Sequence, residues 1–312
     1  RGAIPVSVEE LERLFPSCSR RVTIARLVTE EARMRWRAFS IIAALAAVLV
    51  ASLGNAAPSG PQSIAQNAPS AGTPVDVEVV LAVDVSYSMD PDEQQLQREG
   101  YMAAITSKEF LQAIRQGMHG RITLTYVEWA GSHHQQIIVP WRLIDGPEAA
   151  DAFAADIGRA RYTRASRTSI SSALLFVAPL FDGSGYRGVR RVIDVSGDGV
   201  NNNGPLVTVA RDEVLAKGIT INGLPILLKR PNISTLDIDQ LDIYYEDCVI
   251  GGPGAFVIPI KERDQFKEAI RTKLVLEIAG RQPQRPVVPA AAAAPRVSCT
   301  IGERLWQERW GN

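Results

Sequence analysis

The stretch from Val75 to Val83 is apolar except for Asp76 and Glu78, and it runs directly into Asp84-Val85-Ser86-Tyr87-Ser88-Met89. Apolar residues at consecutive positions, rather than at every second one, describe a strand buried on both faces. That is the situation of a central strand in a parallel sheet covered by helices. The end of this strand is polar in a specific way. It offers a carboxylate and two hydroxyls spaced two apart, hard oxygen donors that suit a small hard cation such as magnesium.

Further strand-like runs occur at 121–129, 135–140, 190–196, 219–228 and 255–260. Helical patterns lie between them at about 91–116, 147–160, 168–181, 206–217 and 262–279. Strand and helix in alternation predict an α/β fold: a doubly wound, Rossmann-like sheet of about six strands with helices on both faces. The short connection Ala130-Gly131-Ser132-His133-His134 makes 121–129 and 135–140 a hairpin, so one edge strand is expected to be antiparallel. Asp90-Pro91-Asp92-Glu93 supplies a cap, a first-turn proline and acidic residues for the first helix. Ser234-Thr235-Leu236-Asp237 predicts the start of a short extra helix.

The 312 residues carry no net charge, which gives no field for nucleic acid or an anionic membrane. Arg35-Trp36-Arg37, the apolar run from Ala38 to Ala51 and the small-residue exit Gly54-Asn55-Ala56-Ala57 are the three parts of a secretory signal. The apolar run is shorter than the ~20 residues of a spanning helix, so cleavage is the expected reading and an uncleaved anchor the alternative. Met34 is read as the initiator. The expected organisation is then an upstream extension at 1–33 (a cytoplasmic tail being the other reading), a signal peptide at 34–57 and a flexible leader at 58–74. A domain at 75–280, a Pro/Ala linker at 281–296 and a tail at 297–312 follow. The tail carries Trp306 and Trp310 and reads as a small docking segment. The expected location is exported, periplasmic or secreted from a bacterium. Cys248 and Cys299 are the two cysteines of the exported part. In an oxidising compartment they pair or remain two free thiols, and linear spacing does not decide between these.

In doubly wound sheets ligands bind at the carboxyl ends of the strands, where the strand order reverses. The strand ending in Asp84 and the strand running from Arg191 into Gly197-Asp198-Gly199 should flank that point. Thr168, at the start of the helix before the second of these strands, falls at the same end of the sheet. Three separated segments therefore converge. Together they resemble the metal-ion-dependent adhesion site of the von Willebrand factor A-like fold: Asp-x-Ser-x-Ser, a threonine, and an aspartate followed by glycine. The region from Val75 to Gly280 resembles, more closely, an exported bacterial family of that superfamily with no assigned function. The strings that carry this are Tyr126-Val127-Glu128-Trp129-Ala130-Gly131, Val195-Ser196-Gly197-Asp198-Gly199, Ile221-Asn222-Gly223-Leu224-Pro225-Ile226 and Val249-Ile250-Gly251-Gly252-Pro253-Gly254-Ala255-Phe256.

The resemblance implies roles. Ser86 and Ser88 would bind the metal directly, Thr168 directly or through water, and Asp84 and Asp198 mainly through water. The metal would be Mg2+, with Mn2+ or Ca2+ as alternatives. One coordination position would remain for an exposed Asp or Glu of a partner protein. Tyr87, Asn201 and Asn202, on the same rim, are candidate partner contacts. The expected function is a metal-dependent protein-binding module and not an enzyme. A metal-assisted hydrolase, or a structural domain with an unused site, is the alternative. No His or Glu lies in the three site segments to serve as a base. His133-His134 does not read as zinc-binding, because neighbours on an extended chain point to opposite faces. Asp237 to Asp242 lacks the glycine and closing glutamate of a calcium loop.

Overall fold

In the computed structural model, residues 72–228, 237–281 and 294–311 are described. The expected upstream extension, the signal segment, most of the leader and of the Pro/Ala linker, and the helix start at Ser234 lie outside them.

Five strands form one sheet: β1 (Thr73–Asp84), β2 (Ile122–Trp129), β3 (Gln135–Ile144), β4 (Tyr186–Gly197) and β5 (Thr220–Pro225). Their order is β3-β2-β1-β4-β5. β1 is parallel to β2 and to β4, β4 is parallel to β5, and β3 pairs antiparallel with β2. The antiparallel edge is the hairpin that the short 130–134 connection predicts. The reversal of strand order falls between β1 and β4.

The expected sixth strand at 255–260 is a correction. It runs beside β5 but meets it only at single parallel bridges, Gly223 with Val257 and Ile226 with Ile260. The Gly223, Ile258, Ile260 and Leu227 amides bond across, but Pro225 has no N–H to give between them, so the ladder is broken there.

β1 is buried from Val75 to Asp84, and its two faces feed two cores. Val77, Val79, Leu81 and Val83 face Tyr101, Phe110, Phe153, Phe266 and Ile270. Val80 and Ala82 face Ile170, Leu174, Val177, Val207 and Val214. The strand's period of two thus divides its side chains between two helical layers. The first layer is α1 (Pro91–Ile105), α2 (Lys108–Arg115), α3 (Pro147–Arg159) and, after a 3-10 turn, α7 (Phe266–Ala279). The second is α4 (Ile170–Val177) and α5 (Val207–Ala216), joined by the short α6 (Leu241–Tyr244) and a wide turn over Tyr245–Val249. A last helix, α8 (Ile301–Trp310), follows the linker.

The single helix expected at 91–116 is two. Thr106 turns its hydroxyl back onto the Met102 carbonyl, and Ser107 caps α2 by accepting from the Phe110 amide at 3.2 Å. Side chains that bond their own backbone compete with the helical ladder at that point. Glu78, the buried acid in β1, is satisfied by Ser184 Oγ at 2.7 Å and the Gly188 amide at 2.8 Å.

Candidate metal centre

β1 and β4 end side by side, with Val83 opposite Ser196, so Asp84 and Gly197-Asp198 emerge together. The loop after β1 is shaped by its own polar groups. The Ser86 amide donates to Asp84 Oδ1 at 2.7 Å, and Asp90 and Glu93 form a reciprocal capping box that starts α1. That loop also pairs with the 164–166 segment: the Tyr87 amide donates to the Ala165 carbonyl and the Ala165 amide to that of Val85. This pairing delivers Thr168 to the site. The Thr168 amide donates to Asn202 Oδ1 at 3.0 Å and the Asn202 amide donates back to the Thr168 carbonyl at 2.9 Å, which locks the loop after β4 to the loop before α4.

The oxygen donors converge as a result. The Ser86 and Ser88 hydroxyls lie 2.8 Å apart, Ser88 Oγ donates to Asp198 Oδ1 at 2.6 Å, and Thr168 Oγ1 is 3.5 Å from Ser86 Oγ. Asp84 is fully buried and its Oδ2 has no hydrogen-bond partner. Burial pushes its carboxyl up to about 7, against the pull of the Ser86 hydrogen bonds. Burial likewise lifts the Asp198 carboxyl well above its ordinary value, and the neighbouring Asp84 charge adds to the effect. Gly197 permits this crowding, since a Cβ there would stand 2.7 Å from Asp84 Oδ2.

These residues fit a small divalent cation. Two acids share a low-dielectric floor, neither bonds a Lys, Arg or His among the described residues, and one buried oxygen is orphaned. Every donor is a hard oxygen. Among the described residues no three His, Cys, Asp or Glu side chains gather as a metal site. The donors here are mostly hydroxyls.

Above the floor opens a pocket of about 140 Å³, lined by Ser86, Ser88 and Thr168 below and by Tyr87, Arg167, Trp306 and Trp310 at its mouth. Tyr87 is 58% exposed there. Asn202 lines the pocket but is tied into the loop lock just described. Asn201 is a correction: it is not on the rim but fully buried. It accepts from the Ser171 amide and donates to the Pro205 carbonyl and to Glu303 Oε1. An asparagine run looks the same in sequence whether its amides face solvent or replace backbone partners.

The C-terminal wall is the part that sequence reasoning did not place at the site. Cys248 and Cys299 are joined by a disulfide, their Cα atoms 5.4 Å apart, which anchors α8 beside the wide turn after α6. Trp306 and Trp310 stack at 4.2 Å, and the Arg167 guanidinium lies over Trp306 at 3.6 Å. Two tryptophans in a short tail were the available signal, but nothing linear says which surface they cover.

Asp194 is absent from this site. It faces α7 instead, where buried Lys273 pairs with both Asp194 and Glu277. Asn222 Nδ2 also donates to Glu277 Oε1 at 3.0 Å.

A family model described as a protein of unknown function (DUF1194) matches residues 74–282. No curated protein matches the chain. Among solved structures, the pilus adhesin SpaC from Lactobacillus rhamnosus GG superposes with a TM-score of 0.50 at 11% identity, over 67% of this chain and 31% of that one. Proximal thread matrix protein 1 from the mussel byssus, with a zinc-occupied MIDAS motif, gives 0.46 at 14% identity over 65% and 46%. A von Willebrand factor type A protein from Catenulispora acidiphila gives 0.45 at 14% over 65% and 43%. The chain spans less than half the length of each of these, and at such identities likeness speaks to fold alone.

Proposed function

The chain belongs to the family described as protein of unknown function (DUF1194), on a von Willebrand factor A-like fold, and we propose that it is an exported protein-binding module whose divalent cation captures a carboxylate of a partner protein. One observation carries this reading. Asp84 and Asp198 are brought together with the Ser86, Ser88 and Thr168 hydroxyls at the floor of a pocket, with no basic side chain bonded to either acid among the described residues. Mg2+ is the cation proposed, with Mn2+ or Ca2+ as the alternatives that an all-oxygen donor set also admits.

The chain's own residues have distinct parts. Ser86, Ser88 and Thr168 offer neutral oxygens. Asp84 and Asp198 supply the charge and orient the hydroxyls. Tyr87 presents an exposed ring beside the entry. With few direct anionic ligands, the bound cation would remain electrophilic and accept an incoming carboxylate.

We favour binding over hydrolysis because both floor carboxylates are assigned to the cation; Asp237, the remaining carboxylate of the lining, is the one a hydrolase reading would need as base. Export is proposed from the basic, apolar and small-residue succession at 35–57.

Calorimetric titration of the full chain with Mg2+ tests the reading. One ion per chain should bind, and Asp198→Ala should abolish the signal while the fold persists by circular dichroism. Wild-type protein that takes up no Mg2+, Mn2+ or Ca2+ sinks it. Turnover of a phosphoester or peptide that depends on added Mg2+ would move the protein to the hydrolase reading.

A further inference from the structure

We propose that the mouth of this site, walled by α8, selects an acidic peptide segment with two neighbouring carboxylates, one for the cation and one for Arg167. This rests on the metal-dependent capture proposed above and names what is captured.

Arg167 is the sole non-glycine residue among those described with a positive φ, 69°. Glycine takes this conformation without a steric cost, whereas a side chain there is held against one. The strained position immediately precedes Thr168. Such outliers accumulate where surrounding structure enforces them for a reason. The Arg167 side chain faces the pocket: its guanidinium lies over the Trp306 ring at 3.6 Å and lines the mouth. It makes no hydrogen bond or ion pair among the described residues. A guanidinium stacked on an aromatic face keeps its N–H edge directed sideways, the geometry that receives a carboxylate with two parallel bonds.

The wall is seated firmly. The Cys248–Cys299 disulfide anchors its start. Asn201 Nδ2 holds Glu303 at 2.7 Å, and Gly302 packs so closely that a Cβ would stand 2.0 Å from the Asn201 carbonyl oxygen. Arg164 lies over the Tyr87 ring at 5.2 Å, and its own N–H groups hold the Tyr87 and Met89 carbonyls. The lining also holds one acid, Asp237, so with a divalent ion on the floor the positive groups left to meet an occupant are the cation and the Arg167 edge. Both receive carboxylates, which favours an acidic occupant. A pocket of about 140 Å³ admits side chains of an extended segment rather than a flat protein face.

The experiment uses the full chain with saturating Mg2+ and two blocked pentapeptides, one with a single Asp among glycines and one with Glu-Asp. Wild type should bind the diacid about threefold to fivefold more tightly, the range of one exposed ion pair. Arg167→Gly suits the backbone and removes the side chain with its guanidinium. It should still take up Mg2+, bind the single-Asp peptide and lose the preference. Trp306→Ala should diminish the preference in the same direction. Equal binding of the two peptides by wild type, or a preference that survives Arg167→Gly, overturns the proposal while leaving cation capture standing. Wild type that binds neither Mg2+ nor either peptide overturns both readings together.

Discussion

The hydroxyl of Ser88 donates a 2.6 Å hydrogen bond to Asp198 Oδ1 across 110 residues of chain. The bond joins the loop after β1 to the loop after β4, and its two partners are both proposed donors to one cation. Replacing the hydroxyl removes a single ligand and two partly buried bonds, to Asp198 and to Ser86. Ser88→Ala should therefore weaken Mg2+ binding on the order of tenfold, at a stability cost of about 1 kcal/mol. Calorimetry and a thermal melt on the same sample separate the two effects; unchanged Mg2+ affinity would remove Ser88 from the ligand set.

Asp84 keeps a charge-bearing oxygen buried without a partner. In metal-free protein that is a liability, and the neutral isostere relieves it. Asp84→Asn should raise the metal-free melting temperature, by an amount corresponding to roughly 1–3 kcal/mol, and should abolish divalent-ion binding. A variant that melts lower than wild type in EDTA would show that the Asp84 charge is balanced by something other than a cation.

Glu277 shares the buried Lys273 ammonium with Asp194. Burial first, then the Asp194 charge, pushes the Glu277 carboxyl up from 4.5 to about 7 in spite of Lys273. The unfolded chain gives up this proton near 4.5, the folded one near 7. Between those values the folded state holds the extra proton, so stability falls as pH rises through the window and the loss is complete above it. The effect is at most roughly 3 kcal/mol. Melting temperatures from pH 4.5 to 8, with Asp84→Asn and Asp198→Asn as background to remove both floor acids, should slope downward; Glu277→Gln should reduce the slope. A slope of the opposite sign, or one unaltered by Glu277→Gln, counts against this account.

The Cys248–Cys299 bond closes a separation of 51 residues. In chain-entropy terms a loop of that length is worth up to about 4 kcal/mol to whatever it tethers. Only Gly302 of α8 is buried, so the helix depends on that tether and on its rim contacts. Cys299→Ser should leave the main melting transition within a few degrees of wild type, while protease cleavage between 294 and 311 becomes much faster. Cleavage at the wild-type rate would mean that α8 is held by packing alone.

Much of the fold was legible because burial on both sides of a strand leaves a local mark. The apolar run into Asp84, the capped start of α1 and the short 130–134 connection each specify an element without reference to distant residues. The reading went astray where the deciding contact was remote. Residues 255–260 have the composition of a strand, but Pro225 of β5 lacks the N–H that would continue the ladder. Asn201 is polar and loop-borne like Asn202, yet its amide is enclosed by Ser171, Pro205 and Glu303.

By itself the sequence determined the alternation of strand and helix and the identity of the oxygen-bearing side chains, because period, capping and residue chemistry are local properties. The tertiary structure alone decided how those groups meet. Strand order places Asp84 beside Asp198, the Asn202 lock holds Thr168 at them, and a disulfide tethers the helix that sets Trp306 against Arg167. Coulomb forces, desolvation and hydrogen bonds act over a few ångströms of space, and separation along the chain carries no record of that distance.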